Sequence, residues 1–410
     1  MNEARKQDFI LITLLGVAHG LSHYFHLIIP PLFPWIMPEF GTSFAQMGAV
    51  MTVFFICSSL GQATSGVLVD KFGAKVCLYG GVTLLMIAGF LFSIAQSYWW
   101  FYPVAACAGL GNSVFHPTDY SIMNRCITNE RLPFAFSIHS VVGNIGWALA
   151  PIFMVAVATY TGSWRLAAAT AGIMALVVLV VLLFHNALFD RALAQGNGLT
   201  QEEKQNNDAK GDAGFAFLKL LVVWLCFLFF FCNSFALGIL QNFAPSIFNA
   251  TYHVGLEIAT GGLTAYMIGS IIGVLSGAYI AKAFKRSDHV IAASMSVSAV
   301  MAILLAWQGL GPWCVLPLMG IMGLGVGVAT PSRDLLIRGA CMKFLGSHSF
   351  GRVYGFTYCG MDVGQTLAPL VAGPLLDAGF FSLALVLVGL FQTGALLTAL
   401  GVGQQKEKPA

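Results

Sequence analysis

The chain has 410 residues, of which 58% are hydrophobic and only 9% are charged. Soluble globular domains contain about 25% charged residues, so this composition excludes a water-soluble protein and is typical of a membrane protein. The formal net charge is only +3, and no basic cluster is interleaved with aromatic residues, which excludes a nucleic-acid-binding role. The nine cysteines are scattered through apolar runs, so we expect buried free thiols rather than disulfides or a zinc framework.

Twelve apolar segments are each long enough to cross the hydrocarbon core of a bilayer, which takes about 20 residues of α-helix. The predicted spans, in chain order, are 9–36, 44–68, 76–95, 99–123, 133–157, 165–189, 216–246, 256–281, 289–308, 313–338, 352–375 and 380–402. The first span follows Arg5 and Lys6 as a secretion signal would, but its apolar run is too long for one and should be retained. The first span should be bent or ended by Pro30, Pro31, Pro34 and Pro38, and the paired spans 4 and 10 should be interrupted by Pro117 and Pro331.

One long polar stretch interrupts the apolar pattern, and it lies midway along the chain. It predicts an N-terminal half of six spans at 1–189, a cytoplasmic linker at 190–214 and a C-terminal half of six spans at 215–410. Basic residues such as Lys71 and Lys75 collect at one side of the spans. The positive-inside rule therefore places both termini in the cytoplasm, and the short loops suggest a bacterial inner membrane.

Three motifs occur twice, in the same order and at nearly equal separations. The pairs are GLGNSVFHP from Gly109 and GLGVGVATP from Gly323, GNIGWALAP from Gly143 and MDVGQTLAP from Met361, and GVLVDKFGAK from Gly66 and GAYIAKAFKR from Gly277. The chain is therefore predicted to be two copies of one unit of about 200 residues, with its function where the copies meet.

The segment GVLVDKFGAK resembles the G-x-L-x-D-[RK]-x-G-x-[RK] loop between spans 2 and 3 of the major facilitator superfamily, and the likeness in spans and linker covers the whole chain. GLGNSVFHP and GNIGWALAP are similar to stretches of fosmidomycin-resistance-type exporters. Those exporters have an acidic residue just after FHP, whereas Thr118 and then Asp119 follow here. The resemblance implies an all-α integral membrane protein with twelve transmembrane helices in two pseudo-symmetric six-helix halves.

The same resemblance implies a rocker-switch carrier with a substrate cavity lined by spans 1, 4, 7 and 10. It further implies a cytoplasmic latch of the outward-facing state, formed by Gly66, Asp70, Lys71, Gly73 and Lys75. A tight turn needs Gly73, and Asp70 is suited to accept bonds from a helix N-terminus. The alternative is that the basic residues of this loop only set the orientation of the chain in the membrane, as the positive-inside rule describes.

Ionisable side chains inside a span cost about 2.5–3.5 kcal/mol each on insertion scales, so each needs a reason. His19, His23 and His26 recur at i, i+4 and i+7, on one face of the first span. His19 and His23 are predicted either to bond substrate or take part in protonation, or to join helices. A metal site is the weaker hypothesis because two histidines need ligands from other helices. The sequence therefore predicts no bound metal and no cofactor.

His116 and Asp119 lie one turn apart on span 4, and Arg333 and Asp334 lie at the equivalent depth of span 10. Three roles are open for Arg333: an ion pair with Asp119 that closes the cytoplasmic side, neutralisation of Asp334, or contact with an anionic substrate group. His139 and Trp147 on span 5 add hydrogen-bonding capacity, as do Asn233, Gln241 and Asn242 on span 7.

Asp362 is predicted to carry the coupling proton. It lies about 16 Å into span 11 at 1.5 Å per residue, near mid-bilayer, where its counterpart in the repeat is the neutral Asn144. An amide would serve helix packing at lower cost, so the carboxylate indicates function. The alternative is an aspartate that is bonded across helices.

No GxxxxGK[ST] motif is present, so an ion gradient is the expected energy source, and no HExxH or similar catalytic motif indicates an enzyme. The sequence predicts a monomeric secondary active transporter that moves a small organic molecule through the lipid bilayer by alternating access, as a proton-coupled efflux antiporter. Alternatives are proton-coupled uptake of a small organic anion, transport of a metal or metallophore, and a receptor that does not transport.

Overall fold

The structure is a computed structural model that describes residues 3–128, 130–195, 216–284, 286–345 and 350–404. Throughout these ranges the chain is helical, apart from short turns, and contains no β-strand. It forms two compact units, Met1–Thr200 and Gln201–Ala410. Helices satisfy every backbone hydrogen-bonding group within one segment, as a hydrocarbon environment requires.

The described part of the first unit contains nine α-helices. They are α1 (Glu3–His26), α2 (Phe33–Phe40), α3 (Phe44–Phe72), α4 (Ala74–Ser93), α5 (Phe101–Asn112), α6 (Phe115–Cys126), α7 (Leu132–Thr161), α8 (Trp164–Phe184) and α9 (Asn186–Gln195). Short 3-10 turns precede α2 and α5. Helix α1 packs along α7, α4 packs along α8, and α3 packs against α5.

The described part of the second unit contains six α-helices. They are α10 (Leu221–Tyr252), α11 (Leu256–Ala283), α12 (Ser287–Trp307), α13 (Val315–Leu345), α14 (Phe350–Asp377) and α15 (Phe381–Gly403). Helix α10 packs against α14 and α15, while α13 packs against α11 and α12. The large side chains Phe230, Phe243, Phe248 and Tyr266 are completely buried in this unit.

Ten helices of the described chain are long and apolar enough to cross a membrane. The predicted spans 4 and 11 are not among these ten. Span 4 consists of two helices, α5 and α6, of 12 residues each. Span 11 corresponds to α14, a continuous helix of 28 residues that is less apolar because it carries groups such as Asp362 and Gln365.

The prolines near the start of the chain divide the predicted span 9–36. Helix α1 ends at His26, before Pro30 and Pro31, and α2 begins only at Phe33. Since proline has no N–H to donate and its ring crowds the preceding turn, the helix cannot continue through this pair. The prediction that prolines end the span is confirmed, but its C-terminal bound was placed too far along the chain.

Pro117 and Pro331, which are counterparts in the repeat, have different effects. Pro117 lacks the N–H that would bond the carbonyl of Ser113, and the chain breaks between α5 and α6 at Ser113 and Val114, so that Pro117 lies in the first turn of α6. The prediction of a break at Pro331 is wrong, because α13 runs through it from Val315 to Leu345. The residue directly before it, Thr330, donates its hydroxyl to the carbonyl of Val326 within the same helix.

The glycines that open the repeated motif have the same structural role in both units. A Cβ atom at Gly109 would lie 2.3 Å from the carbonyl oxygen of Phe54, and one at Gly323 would lie 1.9 Å from that of Tyr266. Real Cβ atoms do not approach so closely, so each position needs glycine for its helix to touch its neighbour. The repetition of this motif therefore reflects two equivalent helix contacts.

The expected linker at 190–214 begins later than the sequence indicated. Helix α9 continues through Gln195, and Asp190 forms an ion pair with Lys75 of α4 and accepts a bond from Asn186. These contacts explain why the polar residues 190–195 are helical. Residues 196–215, and Lys285, lie outside the described residues.

The cysteines of the described side chains are all free, as expected, but they are not all buried. Cys77, Cys226 and Cys314 are buried, whereas Cys359 is exposed on the surface of α14. The expectation of buried thiols is therefore wrong for Cys359. Cys341 lies outside the described side chains.

Glu39 at the end of α2 joins three elements of the first unit. Its Oε2 atom accepts bonds from Trp164 Nε1 at 2.7 Å and Arg165 Nη1 at 3.0 Å, and its Oε1 accepts from Arg165 Nη2 at 2.5 Å. Arg165 also donates to the carbonyl of Ala95, just after α4, at 2.9 Å. The bonds from Arg165 hold the pKa of the Glu39 carboxyl below its usual value.

We predict a small, pH-dependent loss of stability in Glu39→Gln. A carboxyl whose pKa is lower in the folded chain stabilises the fold above its unfolded pKa, about 4.3 for Glu, and this contribution is lost as the pH falls through the folded value. The Glu39 side chain is 38% exposed, so solvent screening limits the difference to about 0.2–1 kcal/mol. Melting temperatures of parent and variant in detergent should differ at pH 7 and converge below about pH 4.

The exposed Glu257 of α11 supplies the control. Glu257→Gln should show no such dependence, since this carboxylate lies at a helix start without an arginine partner among the described contacts. If the difference in melting temperature between Glu39→Gln and the parent stayed constant from pH 7 to pH 3.5, the assigned ion pair would be contradicted.

Candidate functional site

Helices α1, α6 and α7 bring five imidazoles and one carboxylate together inside the first unit. We call this group the histidine cluster; its members are His19, His23, His26, His116, Asp119 and His139. The i, i+4, i+7 spacing on α1 points three of these rings to one face. The side chains on α6 and α7 approach that same face.

A buried acid–imidazole pair lies at the centre of the histidine cluster. Asp119 is 0% exposed and His139 is 2% exposed. Oδ2 of Asp119 lies 3.0 Å from Nε2 of His139, a hydrogen bond, and 3.7 Å from Nδ1 of His19. A carboxylate completely removed from water needs a hydrogen-bonded partner of this kind, so the pair fixes how α6 and α7 face each other.

Ring contacts fix the orientation of the other imidazoles. His19 stacks on His139 with centroids 3.6 Å apart, and His23 stacks on Trp147 at 4.1 Å. His116 approaches His19 edge-on at 4.9 Å. Stacked and edge-on contacts are the favoured geometries of such rings, so the cluster is a packed arrangement rather than a set of loose side chains.

His26 connects the cluster to α5 and α3. Its Nε2 atom lies 3.0 Å from Oδ1 of Asn112, whose Nδ2 donates to Oγ of Ser58 at 2.8 Å. Because the amide oxygen can only accept, the proton of His26 lies on Nε2. Nδ1 of His26 is then left as a free acceptor.

Gly143 makes the space in which the imidazoles of α1 lie. A Cβ atom there would be 2.9 Å from Nε2 of His19 and 2.9 Å from Nδ1 of His23. The edges of both rings therefore face the bare backbone of α7. No larger residue fits at this position without moving them.

Several buried polar atoms of the cluster have no hydrogen-bond partner among the described residues. They are Nδ1 of His19, His23 and His26, Oδ1 of Asp119, and Nε1 of the adjacent Trp147. An unsatisfied buried polar group costs about 1–3 kcal/mol. Five such atoms at one place make this cluster the candidate binding site of the first unit.

The predicted site residues of the second unit lie apart from this cluster along the chain. Nε of Arg333 donates to Oδ1 of Asp334 at 2.9 Å, and the guanidinium lies 4.9 Å from the ring centroid of Phe230. The contact expected for local neutralisation of Asp334 is therefore present. Asp119 has its own partner in His139.

Asp362 is partly buried on α14, and one turn later Gln365 donates to Oε1 of Gln241 on α10 at 3.1 Å. Its counterpart Asn144 donates to the carbonyl of Ser140 within α7. The proton-carrying role of Asp362 stays a prediction.

The predicted latch residues lie at the end of α3, which carries Gly66, Asp70 and Lys71, in the turn at Gly73, and at the start of α4, which carries Lys75. Gly73 has a φ of +86°, a conformation that residues with a side chain rarely adopt, which explains why glycine is needed there. Asp70 and Lys71 are exposed, and Lys75 forms an ion pair with Asp190 within the same unit. The latch role itself stays a prediction.

Comparison with known families decides the class. A family model described as "Major Facilitator Superfamily" matches residues 14–369. The chain belongs to the Major Facilitator Superfamily. Membership makes it a multi-pass membrane transporter rather than an enzyme, and confirms the predicted resemblance and fold class.

Individual relatives of this Major Facilitator Superfamily chain are distant. It is 25% identical to the fosmidomycin resistance protein of Escherichia coli (strain K12), over 65% of this chain and 67% of that protein. It is 22% identical to the membrane sensor protein UhpC of the same strain, over 93% of this chain and 89% of that one. A solved bacterial homolog of the human lysosomal transporter Spinster aligns with a TM-score of 0.72 at 14% identity, covering 97% of both chains. This last likeness shows the fold alone.

The sequence identified His19, His23, His116 and Asp119 as candidate site residues, but it indicated for His139 only added hydrogen-bonding capacity. A signal was available, because His139, Gly143 and Trp147 recur at i, i+4 and i+8 and so share one face of α7. The pairing of that face with the histidines of α1 is a tertiary contact, which the spacing on one helix does not reveal.

We predict that Gly143→Ala damages both the site and the stability of the protein. The added methyl would overlap two imidazoles, and overpacking of this kind costs about 1–3 kcal/mol. The melting temperature in detergent should fall, and affinity for any ligand of the cluster should fall with it.

Gly80→Ala on α4 is the matched control, since nothing lies within 4 Å of its Cβ position. It should leave the melting temperature unchanged or slightly higher, as alanine favours helix. Equal stability of the two alanine variants would show that Gly143 does not shape the site.

Proposed function

We propose that this superfamily member is a secondary active transporter that exports a small organic molecule in exchange for protons. It would act from a bacterial inner membrane with both termini in the cytoplasm. The histidine cluster of the first unit would receive the polar groups of the substrate.

The unpartnered buried atoms of the cluster are the observation that carries this proposal. Nδ1 of His19 and of His23 offer lone pairs or protons according to tautomer, and Oδ1 of Asp119 offers an acceptor. Trp147 adds an apolar face with one N–H donor. A few fixed polar groups beside aromatic surface are typical of small-molecule sites.

The relative with the highest similarity among those described above supports export. It is named for resistance to fosmidomycin, and removal of a drug from the cell is a direct way to resist it. The relative named a membrane sensor spans nearly the whole chain, so binding without transport is the main competing role. Uptake of an organic anion would instead use Arg333, whose guanidinium suits a carboxylate or phosphonate.

Proton coupling is proposed because no nucleotide-binding motif provides another energy source. Asp362 is the proposed carrier, since a carboxylate at about 16 Å into a span is costlier than the amide at its counterpart Asn144. The position of Asp362 one turn before the buried Gln365–Gln241 contact keeps it within the packed part of α14.

The direct test is a substrate screen followed by transport in both directions. Purified protein is first screened for thermal stabilisation, which any binder gives by mass action, with fosmidomycin as the first compound and drugs and organic anions after it. The best binder is then followed in proteoliposomes under imposed pH gradients. Accumulation on the acidic side supports export by antiport, accumulation on the alkaline side supports uptake by symport, and binding without flux supports a sensor.

We predict that Asp362→Asn uncouples transport from the proton gradient. The amide keeps the shape of the side chain but carries no proton, so gradient-driven accumulation should be lost while exchange between equal solutions persists. Both rates can be measured in the same proteoliposomes. Asp377→Asn, at the exposed end of the same helix, should retain coupled transport. If Asp362→Asn still accumulates substrate against a gradient, another group carries the proton.

A further inference from the structure

We propose that three imidazoles of the histidine cluster, those of His19, His23 and His116, form a binding site for one divalent transition-metal ion. This proposal goes beyond the transport function, because the site lies within the first unit alone and metal binding does not depend on transport.

The geometry brings suitable ligand atoms together in two overlapping triads. One triad is His19, His23 and His116, the other is His19, Asp119 and His139, and within each triad the ligand atoms lie within 4.8 Å of one another. Since Zn–N bonds measure about 2.0–2.1 Å, ligands around one ion are separated by about 3.3 Å. Side-chain movements of about 1 Å would therefore close either triad around an ion.

Ring orientation favours the first triad over the second. His19 and His139 stack almost parallel, at 19°, so their in-plane lone pairs run side by side and do not converge. The rings of His23 and His116 are inclined to that of His19 by 54° and 62°. Inclined rings can direct one nitrogen each to a common point.

From sequence alone, His19 and His23 lacked a third metal ligand, but the folded unit supplies one. On α1 alone, His19 and His23 make an incomplete site, but α6 supplies His116 as a third ligand. Nδ1 of His23 is buried and has no hydrogen-bond partner among the described residues. Nε2 of His19 faces the same bare backbone of Gly143 as this atom does, which leaves Nδ1 of His19 toward Asp119. Coordination would satisfy acceptor atoms that otherwise cost free energy.

The second triad then has a supporting role. Ligating histidines commonly face a carboxylate that orients the ring and strengthens the ligand, and Oδ2 of Asp119 lies 3.7 Å from Nδ1 of His19. The Asp119 carboxylate, held by His139, would also neutralise part of the ion's charge inside an apolar unit.

The ligand set indicates which ions fit. Imidazole nitrogens suit Zn²⁺, Co²⁺, Ni²⁺ and Cu²⁺, whereas Mg²⁺ and Ca²⁺ prefer oxygen ligands. Three protein ligands leave one position of a tetrahedral ion open. An open position allows the ion to exchange, or to bind a further ligand from a small molecule.

The test uses the full chain without a polyhistidine tag, in detergent, stripped with a chelator and titrated with Zn²⁺ by calorimetry. We expect one saturable site per chain, and a Zn K-edge spectrum with nitrogen ligands at about 2.0–2.1 Å. Mg²⁺ at the same concentration should give no heat of binding. Absence of saturable Zn²⁺ binding, or a first shell without imidazole nitrogen, would overturn the proposal.

Variants locate the ion. His23→Ala and His116→Ala should each weaken Zn²⁺ binding more than tenfold, and Asp119→Asn about tenfold or more as an outer partner. His289→Ala, an exposed histidine on α12, is the matched control and should bind as the parent does. Size-exclusion profiles identify any variant that misfolds, and the K-edge spectrum of the parent decides the ligand type without variants. Unchanged binding in a folded His23→Ala/His116→Ala double variant would overturn the assignment.

These measurements need no gradient and no organic substrate. Failure of metal binding would leave the transport assays untouched, and failure of those assays would leave the Zn²⁺ titration interpretable. The two proposals are therefore tested separately.

Discussion

A carboxylate completely buried in an apolar helical unit needs compensation from its neighbours, and the pairing of Asp119 with His139 meets this requirement. The pair constrains α6 against α7 and thereby sets the surface that the histidines of α1 contact. His19 lies over His139 because the stacked rings share that surface. Gly143 leaves the room for this contact. The break at Ser113 and Val114 lies one turn before Pro117, which cannot donate to the carbonyl of Ser113, and α6 then carries His116 and Asp119 into the site.

Much of the fold follows from the sequence because hydrocarbon allows few solutions. A chain that crosses a bilayer must satisfy its backbone internally, so apolar length alone located most helices, and the paired motifs revealed two related units. The glycines at 109 and 323 show why the repeat persists, since both sit where one helix touches another. Hydropathy was less informative for α14, whose polar residues lower its apolar character.

The parts that could not be predicted depend on tertiary contacts. Pro117 and Pro331 are equivalent in sequence, yet the helix is divided only near the first, and α13 runs through the second. The cluster shows the same limit. Spacing on α1 identified its histidine face, but which faces of α6 and α7 meet it is decided by packing between helices, and single-helix periodicity carries no information on that.

The repeat also shows how unequally the two units have diverged. At the positions that correspond to Asn112, His116 and Asp119, the second unit has Val326, Thr330 and Arg333. Scaffold glycines were kept in both copies, whereas the imidazoles and the acid occur in one. A dimer of identical chains must carry every substitution twice, whereas two copies within one chain can differ at single positions. One copy can therefore carry a polar centre while the other keeps only the shared helix contacts.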